Sequence, residues 1–188
     1  MRRPQLLSYR RRVLSSACGD VLELGLGSGL NLPIYGKGVR RFYGLEPSPE
    51  LLTLARERAK GLPFPALLIR ASAEALPIAD RSIDAVVTTW TLCSIPDVAS
   101  ALREVRRVLK EDGHLFFVEH GLAPEARVGR WQHALTPCWR RVAGGCHLDR
   151  NMGELIRAAG FEIEEQSRGY MPGPKIMTYL YQGRARRA

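Results

Sequence analysis

The chain has 188 residues, with 45% hydrophobic and 25% charged residues. These are ordinary globular values for one compact domain with its own core, and they exclude a disordered, collagenous or disulfide-scaffold protein. Lys and Arg outnumber Asp and Glu by 28 to 19, a net charge of +9. No apolar run reaches the ~18 residues of a membrane helix, and no h-region follows the basic Met1-Arg2-Arg3-Pro4, so a cytoplasmic protein without a cleaved leader is expected.

Residues 5–16 pattern as a short amphipathic helix, with Leu6, Leu7, Val13 and Leu14 set among arginines. Val21–Leu24 is a first strand, leading into Gly25-Leu26-Gly27-Ser28-Gly29. A helix is expected near Gly29, kept short by Pro33. Arg41–Leu45 is the second strand. Ser48 then caps a helix over Glu50–Lys60, with proline at its first position and Gly61 at its end. Phe64–Arg70 is a third strand, and Ala71–Arg81 a loop. Ile83–Thr88 reads as a strand buried on both faces. Asp97 caps a helix over Val98–Lys110 whose inner face carries Val98, Leu102, Val105, Val108 and Leu109. Glu111-Asp112-Gly113 turns into a fifth strand, His114–Glu119. Residues 121–148 lack periodicity. Asp149–Ala159 is a helix, and Phe161–Arg168 and Ile176–Gln182 are two final strands joined as a hairpin. Strands alternating with helices predict a mostly parallel sheet covered on both faces, with an antiparallel addition at one edge.

The glycine turn carries the first functional signal. Glycines after a leading strand let a ligand approach the backbone and permit unusual dihedrals. The dinucleotide pattern is G-x-G-x-x-G, whereas here Gly25, Gly27 and Gly29 alternate and position 30 is leucine. Glu23, a carboxylate at the strand end, has no use beside a pyrophosphate. A cationic sulfonium ligand such as S-adenosylmethionine would tolerate it. Glu46 follows Gly27 at about the interval expected of a ribose-binding carboxylate.

Together these segments resemble the class I S-adenosylmethionine-dependent methyltransferases. The matching runs are Glu23–Gly29, Gly44-Leu45-Glu46-Pro47-Ser48, Ala73–Ile78, Asp80–Val86 and Glu104–Lys110. The resemblance implies a single domain over 1–188 with an α/β, Rossmann-like three-layer sandwich and a seven-stranded sheet whose edge strand is antiparallel. It implies an N-terminal helix over 1–18 and an acceptor-site insert over 121–148. It also implies site roles. Gly25, Gly27 and Gly29 would line the methionine and ribose of the cofactor, with Glu23 at the strand end. Glu46, followed by Pro47 and Ser48, would bind the ribose hydroxyls. Ser72, Ala73 and Glu74 would meet adenine, and Thr89 and Trp90 would face the methyl donor. Trp90 reads equally as core, and Asp84 reads as a strand-start residue. The product would be S-adenosylhomocysteine.

Methyl transfer is an in-line displacement that needs alignment and water exclusion more than a catalytic side chain. Thr89–Asp97 lacks the paired prolines and the amide or acid of nucleic acid amine methyltransferases, and no nucleic acid partner is expected. A small, apolar acceptor is expected, with quinones or phospholipid headgroups as the enzymatic alternative. A non-catalytic binding module and a nicotinamide enzyme are more distant alternatives. The segments Thr91–Ser94, Leu115–His120, Trp131-Gln132, Pro137-x-Trp139 and Gly144–Arg150 resemble thiol S-methyltransferases, which makes a thiol the first acceptor to test. Those relatives carry an N-terminal hydrophobic anchor not found in this sequence. The basic N-terminal helix is a candidate for peripheral membrane contact. His120 is the candidate general base, with a role in ordering the insert as the alternative. Trp131 and Trp139 either wall the acceptor pocket or bury the insert. Cys18, Cys93, Cys138 and Cys146 match no zinc spacing. The adjacent Cys146 and His147 point different ways, so no metal is expected.

Overall fold

The computed structural model describes residues 4–188; Met1, Arg2 and Arg3, part of the basic N-terminus noted above, lie outside the described residues. Seven strands form one sheet: β1 (Gly19–Leu24), β2 (Val39–Leu45), β3 (Ala66–Ile69), β4 (Ile83–Thr89), β5 (Leu109–His120), β6 (Phe161–Tyr170) and β7 (Tyr179–Arg187). Their order is β3-β2-β1-β4-β5-β7-β6. The first five run parallel. The expected hairpin ends the sheet, with β7 antiparallel to both β5 and the outermost β6.

Both faces are covered, as the continuous apolar strands require. Val21, Ala85, Val87, Phe116 and Val118 pack under α1 (Pro4–Leu14) and α2 (Pro49–Ala59). Leu22, Leu24, Val86, Leu115 and Phe117 pack under α3 (Val98–Val108) and α5 (Met152–Ala158). Asp97 accepts from Ser100 N and starts α3, and four of the five apolar residues expected on its inner face are buried there, while the fifth, Leu109, is buried as the first residue of β5, so the helix ends two residues before the expected Lys110. At ~1.5–3 kcal/mol for each fully buried large aliphatic side chain, that stripe outweighs the helix's intrinsic propensity. Ser48 Oγ likewise accepts from Leu51 N at the start of α2. At the opposite end of the sheet Asp84 Oδ2 accepts from Asp20 N at 2.7 Å, and Arg40 and Arg41 both pair with Asp20. Asp84 is thus a structural strand-start residue.

Three expectations are corrected. Only a single 3-10 turn, Leu32–Ile34, follows the glycine loop. The Asn31 side chain is engaged by Glu23 and Thr89 instead of capping a helix, and Pro33 lacks the N–H that a longer helix needs. Residues 121–148 hold α4 (Ala126–Val142), a 17-residue helix. Its buried stripe is Gly129, Gln132 and Thr136, small or polar residues that give a hydrophobicity reading no period. Gln132 is placed there because it bonds Ala123 N, Gly121 O and Ile176 O. The strand expected from Ile176 starts at Tyr179, preceded by the short α6 (Lys175–Thr178). Among the described residues no helix is long and apolar enough to cross a membrane.

Candidate active site

Strand order reverses between β1 and β4, and a crevice opens beyond the carboxyl ends of strands at such a point. A cleft of about 480 Å³ lies there, within the size range of small-ligand sites. Gly25, Gly27, Glu46, Pro47, Ser72, Ala73, Thr89 and Trp90 all line it. The other expected cofactor residues stand behind its wall. Gly29 packs against Leu32 and Ala55, where a Cβ would find no room. Ser48 caps α2. Glu74 accepts from Ser72 Oγ and Asp97 N, tying the adenine-side loop to the start of α3.

Glu46 is the best-placed polar group. Its Oε2 accepts from Gly27 N at 2.8 Å and its Oε1 from Ser48 N at 3.0 Å. Each oxygen keeps a lone pair for a vicinal diol. Gly25 and Gly27 have φ of 62° and 57°, a region L side chains rarely adopt. A Cβ on Gly27 would meet nothing closer than 4.0 Å, so the space beside it is open. Diol acceptor, open glycine cradle and apolar walls from Leu26, Leu45 and Ile95 fit an adenosine-bearing ligand. These residues would hold S-adenosylmethionine, which supplies an electrophilic methyl when bound.

Glu23 is corrected in role. It is 1% exposed, does not line the cleft, and accepts from Asn31 Nδ2 at 2.8 Å and Tyr35 OH at 2.8 Å. Asn31 also donates to Thr89 Oγ1 and accepts from Arg10 Nη1. This buried polar network props the glycine turn from below. Burial raises the Glu23 carboxyl to about 7, opposed by its hydrogen bonds and by Arg10. The native state then holds that proton more tightly than the unfolded chain between pH ~4.5 and ~7, so stability from this group is full below that window and lost as pH rises through it. In urea titrations, the stability of wild type minus that of Glu23→Gln is expected to fall by about 3 kcal/mol across it. Parallel pH profiles would mean that Glu23 ionises as it does in water.

Arg10 is a site residue the pattern reading passed over. It lines the cleft, is buried, and lies with its guanidinium carbon 5.0 Å from the centroid of the Trp90 ring. It shares the buried side of α1 with Val13 and Leu14, and an arginine on the apolar side of an amphipathic helix was the available signal. Its charge suits the carboxylate of the cofactor's amino acid tail. Trp90 has φ 54°, an outlier for a bulky residue, and is held by Trp90 N donating to Val118 O at 2.8 Å. Such strain is concentrated at functional sites.

After β4 the lining continues in a rim that includes Trp90, Ser94, Ile95 and Pro96, with Gly144 beside them. Gly144 is the insert's contribution to the lining. Trp131 is 58% exposed and Trp139 packs on the core, so neither walls the cleft. His120 does not line the cleft either. Its Nδ1 is 4.0 Å from Cys146 Sγ, and its ring centroid is 6.4 Å from that of Trp90. The general-base role assigned to it is therefore not retained. Cys93 donates toward Cys146, which with His120 and the Trp139 indole nearby favours the Cys146 thiolate and pushes Cys93 up. Glu119 is fully buried and accepts from Thr91 N and Cys93 N; burial raises its carboxyl.

A family model described as a methyltransferase domain matches residues 22–117. A thiol S-methyltransferase of Rattus norvegicus is 35% identical over 167 residues, covering 84% of this chain and 68% of the relative. A phosphatidylethanolamine N-methyltransferase of Cereibacter sphaeroides is 33% identical over 165 residues, covering 85% and 80%. Among solved structures, an S-adenosylmethionine-dependent methyltransferase from Mesorhizobium loti matches with a TM-score of 0.71 at 19% identity, covering 97% of this chain and 98% of that one. The cyclase SpnF matches with a TM-score of 0.75 at 22% identity, over 97% and 80%. These last two likenesses speak for the fold alone. The family model, the curated relatives and a cleft built for an adenosine diol agree, and the chain belongs to the S-adenosylmethionine-dependent methyltransferases.

Proposed function

We propose that the protein methylates the sulfur of a small, apolar thiol. The observation that carries this is the apolar rim of the cleft, taken with a likeness to thiol S-methyltransferases that reaches past the matched domain, as the likeness to the phosphatidylethanolamine N-methyltransferase also does. An alignment of 167 residues extends beyond the matched domain at 22–117 into the segment that contributes Gly144 to the rim. The rim itself, Trp90, Ile95 and Pro96 beside Ser94, offers an apolar acceptor contact surface and no carboxylate to attract an amine. In the transfer, the acceptor sulfur attacks the methyl carbon, the new S–C bond forms as the sulfonium S–C bond breaks, and S-adenosylhomocysteine leaves. A thiolate needs no further proton removal, so the protein's part is to align the two sulfurs and exclude water.

The likeness to a phosphatidylethanolamine N-methyltransferase supports a second reading, a headgroup amine as acceptor. A panel of aliphatic and aromatic thiols, phenols, quinols and phosphatidylethanolamine vesicles, assayed with methyl-labelled cofactor, separates the two. Label transfer to thiols is expected. Transfer to the vesicles with none to any thiol would overturn the thiol reading in favour of the headgroup.

A further inference from the structure

Behind the cleft rim, three chain segments bring together side chains that are far apart in sequence. Cys93 follows β4, His120 ends β5 and Cys146 follows α4. Their sulfur and nitrogen atoms all lie within 4.8 Å of one another. We propose that Cys93, His120 and Cys146 form a three-ligand site for a thiophilic divalent cation of the zinc type, with a fourth coordination position left open.

The donor set and spacing support it. Two thiolates and an imidazole are ligands zinc favours, and three protein ligands with one open position are typical of reactive zinc sites. Tetrahedral bonds to sulfur and nitrogen place neighbouring donors ~3.5–3.8 Å apart. The 4.0 Å between Cys146 Sγ and His120 Nδ1 needs only a small contraction to reach that. Cys93 is 1% and Cys146 8% exposed, while His120 is half-buried and leaves a side for entry.

The surroundings hold the donors in place, as ligands of a functional site require. Arg150 donates to Leu92 O at 2.6 Å and to Ile95 O at 2.7 Å, clamping the loop on both sides of Cys93. His147 N donates to Cys93 O at 2.8 Å, so the Cys146 strip is fastened to the Cys93 loop through backbone. Gly145 permits the approach: a Cβ there would stand 2.9 Å from Ser94 O. Glu119 grips Cys93 N from the other side. The site also borders the cleft, since Ser94 and Gly144 belong to the rim.

Resting on the thiol reading above, the open position has a use. An acceptor thiol that coordinates there loses its proton to solvent and is presented as a thiolate. Attack on the methyl carbon then forms the thioether and releases S-adenosylhomocysteine.

The test is titration of reduced, chelator-treated protein with Co²⁺, with zinc content of untreated protein measured by plasma mass spectrometry. One equivalent of Co²⁺ with a thiolate-to-cobalt charge-transfer band is expected. Cys93→Ser and Cys146→Ser should each weaken binding by about 100-fold or more, beyond the ~10–100-fold typical of outer-shell partners. Cys138→Ser, on the surface, should leave the band intact. Circular dichroism and S-adenosylmethionine titration of the same variants show whether they fold. Should a serine variant fail to fold, His120→Ala and Zn²⁺-dependent protection of Cys93 and Cys146 from alkylation take its place. No ion bound by the reduced protein overturns the site, as does a band unchanged in folded variants. A Cys93–Cys146 disulfide in air with no ion bound after reduction also overturns it and makes the pair a redox couple. The two readings fail separately. Thiol methylation by protein that binds no ion overturns the site alone, and ion binding without thiol methylation overturns the acceptor alone.

Discussion

Glu46→Ala is expected to weaken S-adenosylmethionine binding by about a hundred- to a thousand-fold while leaving the chain folded. The carboxylate offers one free lone pair on each oxygen to a ribose hydroxyl, and a hydrogen bond to a charged group contributes ~1.5–3 kcal/mol. Two such bonds near the lower end of that range amount to roughly 3–4 kcal/mol, with ~1.4 kcal/mol per tenfold in affinity. The carboxylate also accepts from Gly27 N and Ser48 N, so its loss loosens the glycine turn against the start of α2. Glu46→Gln keeps the shape but presents an NH2 to one backbone N–H, and should fall between wild type and alanine. Calorimetric titration, beside circular dichroism, reads the effect. Wild-type affinity in Glu46→Ala would remove Glu46 from the cofactor site.

Gly25→Ala and Gly27→Ala are expected to fail in different ways, although the residues are two apart and share a positive φ. The backbone strain is similar in both, ~1–2 kcal/mol for a side chain held in the left-handed region. What differs is the space. A Cβ on Gly25 would collide with Thr91, lying 2.5 Å from its Oγ1. That hydroxyl donates to Leu24 O at 3.1 Å and Thr91 N donates to Glu119 at 3.0 Å, so Thr91 is poorly placed to yield. Gly25→Ala should therefore lower the melting temperature by well over the strain term alone. A Cβ on Gly27 meets no protein atom closer than 4.0 Å and projects into the open side of the turn. Gly27→Ala should fold with only the strain penalty yet lose most of its cofactor affinity, because the methyl occupies space the ligand needs. Thermal melts and cofactor titrations on both variants check this. Equal destabilisation, or tight binding by Gly27→Ala, would count against the cradle.

The fold was readable where local chemistry and burial agree. Ser48 and Asp97 are N-caps in the sequence and in the structure, because a short oxygen-bearing side chain before an apolar run has little else to do. The near-continuous apolar runs of β1, β4 and β5 needed two covering layers, and received them. The misreadings share a cause. Glu23 reads as a ligand for a cationic cofactor because it stands next to the glycine turn, yet successive strand residues point to opposite faces and Glu23 is turned into the layer beneath. Helix α4 was invisible because Gln132 and Thr136 on its buried side satisfy backbone groups instead of filling apolar space.

By itself the sequence determined the layered parallel sheet, the glycine turn and the acidic residue that follows it, while the cofactor came with the family resemblance that those segments carry. All of these depend on periodicity and on contacts within short spans of chain. Only the tertiary structure decided that Arg10 lines the cleft, that His120 stands outside its lining, and that Cys93, His120 and Cys146 come together in space. Of the adjacent Cys146 and His147, only Cys146 belongs to that cluster. The partners of Cys146 lie on other strand ends, because strand order sets which ends are neighbours and no local spacing records it.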